Sequence, residues 1–285
     1  MADERFRAYS FVDRITSVEP GMRVCGSYSI PEGASRFPVS LAAEATGQLA
    51  AWAAMAEVDF AVRPVAGIAG GIAMLTVPEP GQTLDLEAAI ERVDAEAISY
   101  SGTASVGGRP VVRLEDCVGP MVPMEDYDDP AAVRERYGVL RGGGAEPGAF
   151  RGVPEIGWKR AGGEPGEELI VRLQVPESAA FFGDHFPRRP VFPGTLMMDV
   201  NNEIAGAFMT ETAPPAGGGA WRVRHLGNMK MRSFIPPGER LESRVKLVER
   251  DGDREATVRV ETRNATRRVS GGLLHMVVEE EGAGS

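Results

Sequence analysis

The chain repeats itself, and a repeat constrains the fold more than any single motif does, because both copies must satisfy one plan. Three landmarks recur in the same order. Pro20-Gly21 precedes MRVCGSYSIP in the first half, and Pro165-Gly166 precedes EELIVRLQVP in the second. Phe37-Pro38-Val39-Ser40-Leu41-Ala42-Ala43-Glu44 is answered by Phe192-Pro193-Gly194-Thr195-Leu196-Met197-Met198-Asp199, with the two acids in step. Pro80-Gly81-Gln82-Thr83-Leu84 and Pro237-Gly238-Glu239-Arg240-Leu241 each turn into an alternating strand. Chance supplies one such pair; three in order imply duplication. The first landmark is displaced by 145 positions (165 less 20) and the second by 155 (193 less 38), so the first half is ten residues shorter between strand and helix. There the second half carries FFGDHF, and the first keeps an acid, Glu44, but no histidine.

Each copy reads as one α+β unit. A short strand region leads into a mostly apolar helix, predicted over Val39–Val58 and Thr195–Thr212, and alternating strands follow: LDLEAAIERVD, AISYSGTASV and PVVRLEDCV, then RLESRVKLVER, EATVRVETRN and RRVSGGLLHMVVE. One helix beside a run of antiparallel strands is best buried by wrapping the sheet around it. The predicted domains are 1–122 and 151–281. Between them, 123–150 has a short polar helix candidate and then Gly and Pro, the chemistry of a linker. The tail EEEGAGS is expected to be disordered.

Composition excludes several functions. At 285 residues and a net charge of -10, the chain lacks the basic face that nucleic acid requires. Leu41–Met55, the most apolar stretch, is too short to cross a bilayer and is interrupted by Glu44 and Gln48; it reads as a helix buried all round. MADERFRAYS has no apolar run of the signal-peptide kind, and Cys25 and Cys117 are far apart, so the expected compartment is the reducing cytoplasm. Three histidines without C-x-x-C or H-E-x-x-H leave little for a metal site, and none is expected. No G-x-S-x-G elbow, P-loop or dinucleotide fingerprint occurs.

What remains is the segment FFGDHFPRRPVFPG, Phe181 to Gly194. Pro187, Pro190 and Pro193 fix φ and restrict the residues before them, so His185 sits in a stiff loop that runs into a helix. Extended through TLMMD, the segment resembles the active-site motif of the bacterial 3-hydroxyacyl-acyl-carrier-protein dehydratases of the hot-dog fold: His-Phe, Pro-Val, Pro-Gly and an acid fourteen residues after the histidine. The first half is similar too, in FVDRITSVEPG and in Glu44-Ala45-x-x-Gln48, so the likeness covers roughly 6–119 and 150–280. It implies an α+β double hot-dog, two antiparallel sheets each wrapped around a helix, as a pseudo-dimer in one chain.

The resemblance also implies chemistry. The expected reaction is dehydration of a 3-hydroxyacyl thioester to a trans-2-enoyl thioester and water, in fatty-acid or polyketide-type assembly. His185 is the expected base for the C2 proton, a carboxylic acid the expected partner for the leaving hydroxyl, and the Gly194 N–H the oxyanion donor. Phe186 and Val191 are expected beside the substrate. In that family each site takes its histidine from one unit and its acid from the other, which pairs His185 with Glu44; since some relatives use Asp, Asp199 stays a candidate. The expected partner is an acyl carrier protein, or coenzyme A as thioester carrier. No cofactor is expected beyond the carrier's own phosphopantetheine. Arg188 and Arg189, with Arg222, Arg224, Lys230 and Arg232, form a candidate docking patch. Met197, Met198, Met229 and Met231 are core or an adaptable acyl tunnel. A homodimer of double hot-dogs is compatible with this scheme, as is double-bond isomerase activity. The competing functions are a hot-dog acyl thioesterase and a non-catalytic partner subunit that binds acyl chain or carrier.

Overall fold

The structure is a computed structural model that describes residues 5–146, 148–215 and 219–280. Most of the EEEGAGS tail, 281–285, lies outside the described residues. The first half runs β1 (Arg14–Glu19), β2 (Arg23–Ser29), α1 (Val39–Glu57), β3 (Val62–Pro64), β4 (Ile68–Met74), β5 (Thr83–Val93), β6 (Ala97–Val106) and β7 (Arg109–Pro123). After α2 (Pro130–Arg141), the second half runs β8 (Trp158–Gly162), β9 (Glu168–Gln174), α3 (Gly194–Thr212), β10 (Ala220–Met231), β11 (Arg240–Asp251), β12 (Glu255–Arg263) and β13 (Arg268–Glu279).

The duplication is written into the sheet. Read inward from its edges, the strand order is β1-β2-β5-β6-β7-β4 on one side and β8-β9-β11-β12-β13-β10 on the other. At the middle β4 and β10 pair antiparallel, Leu226 opposite Ile72 and Gly227 opposite Gly71. Only β3, paired with the end of β7, has no counterpart among the described strands. The alternation seen in the sequence becomes one buried and one wet face: along β5, Leu84, Leu86, Ala88 and Ile90 point to the core and their neighbours to solvent. The glycines of the repeated Pro-Gly turns, Gly21, Gly81, Gly166 and Gly238, all have positive φ, which side-chain-bearing residues resist.

Both long helices lie against the sheet and touch each other. No residue of α1 from Val39 to Ala56 is exposed, so this alanine-rich segment is buried all round as its composition suggests. Pro38 and Pro193 stand at the N-caps of α1 and α3, neither with a side-chain cap. The first-turn N–H groups of each helix, which have no carbonyl within the helix, therefore face forward. One large hydrophobic cluster runs through both halves, from Tyr9 to Val278.

The segment 123–150 is more than a tether. Asp129 caps α2 by accepting from the Ala131 N–H, Pro130 opens the helix, and Val133 and Leu140 are buried against the first half. Tyr137 stacks on Trp52 of α1. A period-3.6 face was present here; the high Gly and Pro content after it hid how much the helix buries.

Candidate active site

The histidine loop is fixed from inside. The His185 N–H donates to the Phe181 carbonyl at 2.8 Å, the Val191 N–H to the His185 carbonyl at 2.9 Å, and the Phe192 N–H to Ile235 at 2.7 Å. The ring Nδ1 of His185 lies 2.8 Å from the Val191 carbonyl oxygen. A carbonyl only accepts, so Nδ1 carries the hydrogen, and in the neutral ring the lone pair sits on Nε2. Burial pushes the imidazole below its ordinary value of 6.5, opposed chiefly by the negative charge of Glu44. The ring is stacked on Phe186 and meets the edge of Tyr9.

Glu44 comes from α1 of the other half. Its Oε2 accepts from Thr195 Oγ1 at 2.6 Å and its Oε1 from Gln48 Nε2 at 3.0 Å. Glu44 and His185 line one cavity of about 230 Å³, together with Gly194 and Phe186. Ala43, Gly47, Ala51 and Met55, spaced every fourth residue on α1, form one wall; Ile98, Tyr100 and Leu114 lie across from them. Small residues on that face leave the room. Gly194 opens α3 at the cavity, and a Cβ on it would come within 3.3 Å of Met231 Cγ, so no larger residue fits without a shift.

Asp199 does not line this cavity. Its Oδ2 accepts from Arg36 Nη2 at 2.7 Å, and the same guanidinium reaches Glu203 Oε1 at 3.1 Å. Burial raises the Asp199 carboxyl to about 6, with Arg36 pulling the other way. By the displacement of the second landmark, Arg36 is the counterpart of Val191, whose carbonyl holds His185. Where one half has a histidine anchor, the other has an arginine on the acid.

Other sequence expectations resolve individually. Val191, expected beside the substrate, instead faces Tyr127 and Phe186 and acts through its carbonyl. Arg188 and Arg189 lie on the exposed loop, but Arg188 donates to the Glu125 carbonyl and Arg189 lies over Tyr127 and Phe234. Arg222 is exposed on β10, whereas Arg224 is paired with Glu279 at 2.7 Å, which neutralises part of the patch. Met198, Met229 and Met231 line the cavity; Met197 is wholly buried core.

Four further residues belong to the site. Asp184, next to the histidine, accepts from the backbone N–H groups of Phe6, Ala8 and Tyr9 at 2.6–2.7 Å and so straps the N-terminal segment across the cavity. Tyr9 and Thr195 bond each other at 2.8 Å. Arg63 is buried in the wall with its guanidinium 3.9 Å from the Phe186 ring centroid and 3.5 Å from Asp128; burial lowers it to about 10 despite that carboxylate. The polar pair Asp184-His185 and the hydroxyl at helix position Thr195 were visible signals. Tyr9 and Arg63 were not, since nothing local marks a residue brought in from a distant segment.

Among the described residues no three His, Cys, Asp or Glu side chains gather in a metal-holding group, both cysteines are free, and no helix is long and apolar enough to cross a membrane.

The sequence comparisons meet this geometry at the histidine loop. Residues 163–272 match the family of ApeI-like dehydratases. The 3-hydroxyacyl-[acyl-carrier-protein] dehydratase FabZ of Shewanella loihica is 32% identical over 86 residues, 30% of this chain. The chain spans about half the length of such relatives, 56% in this case. Solved structures extend the likeness to the whole fold. A 12:0-ACP thioesterase from Umbellularia californica superposes with a TM-score of 0.53 at 10% identity, covering 92% of this chain and 96% of its own. A MaoC-like dehydratase gives 0.53 at 15% identity, covering 90% and 97%. At such identities the structures carry the fold alone: the chain comprises two hot-dog-like halves.

Proposed function

We propose that this protein is a 3-hydroxyacyl-thioester dehydratase, a double hot-dog pseudo-dimer that keeps one working site of two. The observation that carries the reading is the His185 ring, pinned through Nδ1–H to the Val191 carbonyl so that Nε2 faces the reaction as a neutral base, in a cavity shared with Glu44. The second-half match to the dehydratase family and the FabZ relatives support the same class.

The chemistry then follows. Nε2 of His185 takes the C2 proton of the substrate, and the negative charge that moves onto the thioester oxygen is met by the N–H of Gly194 at the positive end of α3. In the reactive form the one proton shared by the His185–Glu44 pair sits on Glu44; as the C3–O bond breaks it leaves with the hydroxide as water, and the C2=C3 bond forms. Proton return from imidazolium to carboxylate resets the site. Asp199, committed to Arg36, takes no part. The acyl chain lies along the small-residue face of α1, and the thioester arrives on the phosphopantetheine of a carrier protein or on coenzyme A. Arg188, Arg189 and Arg222 would face an acidic carrier.

The decisive experiment incubates the protein with short and long 3-hydroxyacyl thioesters and follows product mass. Loss of water, abolished by His185→Ala and by Glu44→Gln but retained in Asp199→Asn, is the expected result. Free carboxylic acid in place of enoyl thioester would assign thioesterase chemistry instead. No turnover of any thioester would make the chain a binding subunit, and activity lost in Asp199→Asn but kept in Glu44→Gln would reverse the choice of acid.

A further inference from the structure

Glu44 is held by a chain of two hydroxyls, Thr195 from the repeated helix start and Tyr9 from the segment ahead of the first repeated landmark. Thr195 Oγ1 donates to Glu44 Oε2 at 2.6 Å, and Tyr9 Oη lies 2.8 Å from the same Thr195 oxygen. A hydroxyl has one hydrogen. Against an ionised carboxylate, which has none to give, Thr195 must donate to Glu44, and so Tyr9 must donate to Thr195. Burial raises the Tyr9 phenol well above its ordinary range, so its hydrogen is always present.

Tyr9 is also fixed at its backbone, and each tie leads to a group that holds one of the two reacting residues. Its N–H donates to Asp184 Oδ2 at 2.7 Å, and Asp184 precedes His185 in the chain. Its carbonyl accepts from Gln48 Nε2 at 3.0 Å, and Gln48 also donates to Glu44. The ring edge rests on the His185 imidazole, centroids 5.7 Å apart. The histidine-free position lacks this arrangement. There the counterpart of Thr195 is Ser40, whose buried hydroxyl finds no partner among the described residues, and the acid is tied to Arg36.

We propose that Tyr9 and Thr195 are positioning residues of the working site, a directed hydrogen-bond relay, Tyr9 to Thr195 to Glu44, that holds the carboxyl in register with His185 and stabilises its charge as it releases a proton. This deepens the dehydratase reading and rests on it. Donors to the charged form of an acid favour that form, so the relay tightens as the C3–O bond breaks. Its effect belongs to kcat and not to substrate binding.

The test uses Thr195→Val, Thr195→Ser, Tyr9→Phe and the Tyr9→Phe/Thr195→Val double variant in the full chain, assayed in the dehydration and hydration directions. Thr195→Val is expected to lower kcat by about 10- to 100-fold, the worth of one hydrogen bond to a charged group, with KM little changed. Thr195→Ser recovers most of that rate because the hydroxyl returns. Tyr9→Phe alone costs less, and the double variant is no slower than Thr195→Val, since Tyr9 acts through Thr195. Losses that multiply, a serine variant as slow as the valine one, or a loss that resides in KM would overturn the relay. An NMR titration of His185 gives a readout that needs no turnover. Thr195→Val loosens the Glu44 charge that supports imidazole protonation, so His185 titrates at lower pH than in Thr195→Ser. No difference between the two would overturn the proposal. If the wild-type chain dehydrates nothing, the proposed function fails, while the titration still reports on the relay.

Discussion

His185, the base of the proposed reaction, is subject to two opposed effects, burial that favours the neutral ring and the Glu44 charge that favours the protonated one, and burial is the larger. Only the neutral ring takes a proton. Activity should therefore persist below pH 6.5 and fall as pH drops through the depressed folded value, giving an acid limb under the ordinary histidine range in kcat/KM. Removing the opposing charge should lower the ring further, so in Glu44→Gln the NMR titration of His185 is expected to move to still lower pH. Stability follows the same sign. The unfolded chain takes up this proton near 6.5 and the folded chain only at lower pH, so the contribution is whole above 6.5 and is lost as pH falls through the folded value. Asp199 runs the opposite way: raised to about 6 by burial, it contributes fully below the usual carboxylate range and loses that contribution as pH rises through about 6. The proposed base and the acid paired with Arg36 are thus separable by the opposite signs of their pH dependence.

Elements carry the site between residues. The strap formed by Phe6 to Tyr9 has little secondary structure of its own and is held by three N–H groups on one carboxylate. Replacing Asp184 by Ala leaves those donors without their acceptor and should cost about 3 kcal/mol in urea unfolding, with the tether of Tyr9 loosened and kcat lowered. Along α1, from Ala43 to Met55, about 18 Å of helix borders the cavity. A Cβ on Gly47 would stand 3.0 Å from the Tyr100 hydroxyl. Gly47→Leu should accordingly fill the channel: turnover of long-chain thioesters falls by an order of magnitude or more while short ones are still accepted, as competition assays would read. Equal loss at every chain length would place the acyl chain elsewhere.

At the scale of the molecule, the two halves share one sheet through the β4–β10 seam and one hydrophobic cluster. Such continuity should make unfolding a single transition. Trp52 reports on the first half, Trp158 and Trp221 on the second. Fluorescence melts in urea of Trp52→Phe and of the Trp158→Phe/Trp221→Phe variant are expected to give coincident midpoints. Separated midpoints would show that each half unfolds alone. The proposed site needs this joint frame, because His185 and Gly194 come from one half and Glu44 and Tyr9 from the other.

The sequence by itself determined the repeat, the two buried helices, the alternating strands and the stiff histidine loop, since these rest on periodicity and on Pro and Gly, whose backbone limits act locally. Glu44 and Asp199 were both visible as acids at matching positions. Which of them shares a cavity with His185 is visible only in the tertiary structure, because that depends on how two helices cross between halves and on Arg36, a residue outside either motif, pairing with Asp199. The same holds for Tyr9 and Arg63: hydrogen bonds and stacking between segments more than a hundred residues apart leave no spacing in the chain to read. Even the polar helix of 123–150 disclosed its face but not its place, for burial is a property of what a surface packs against.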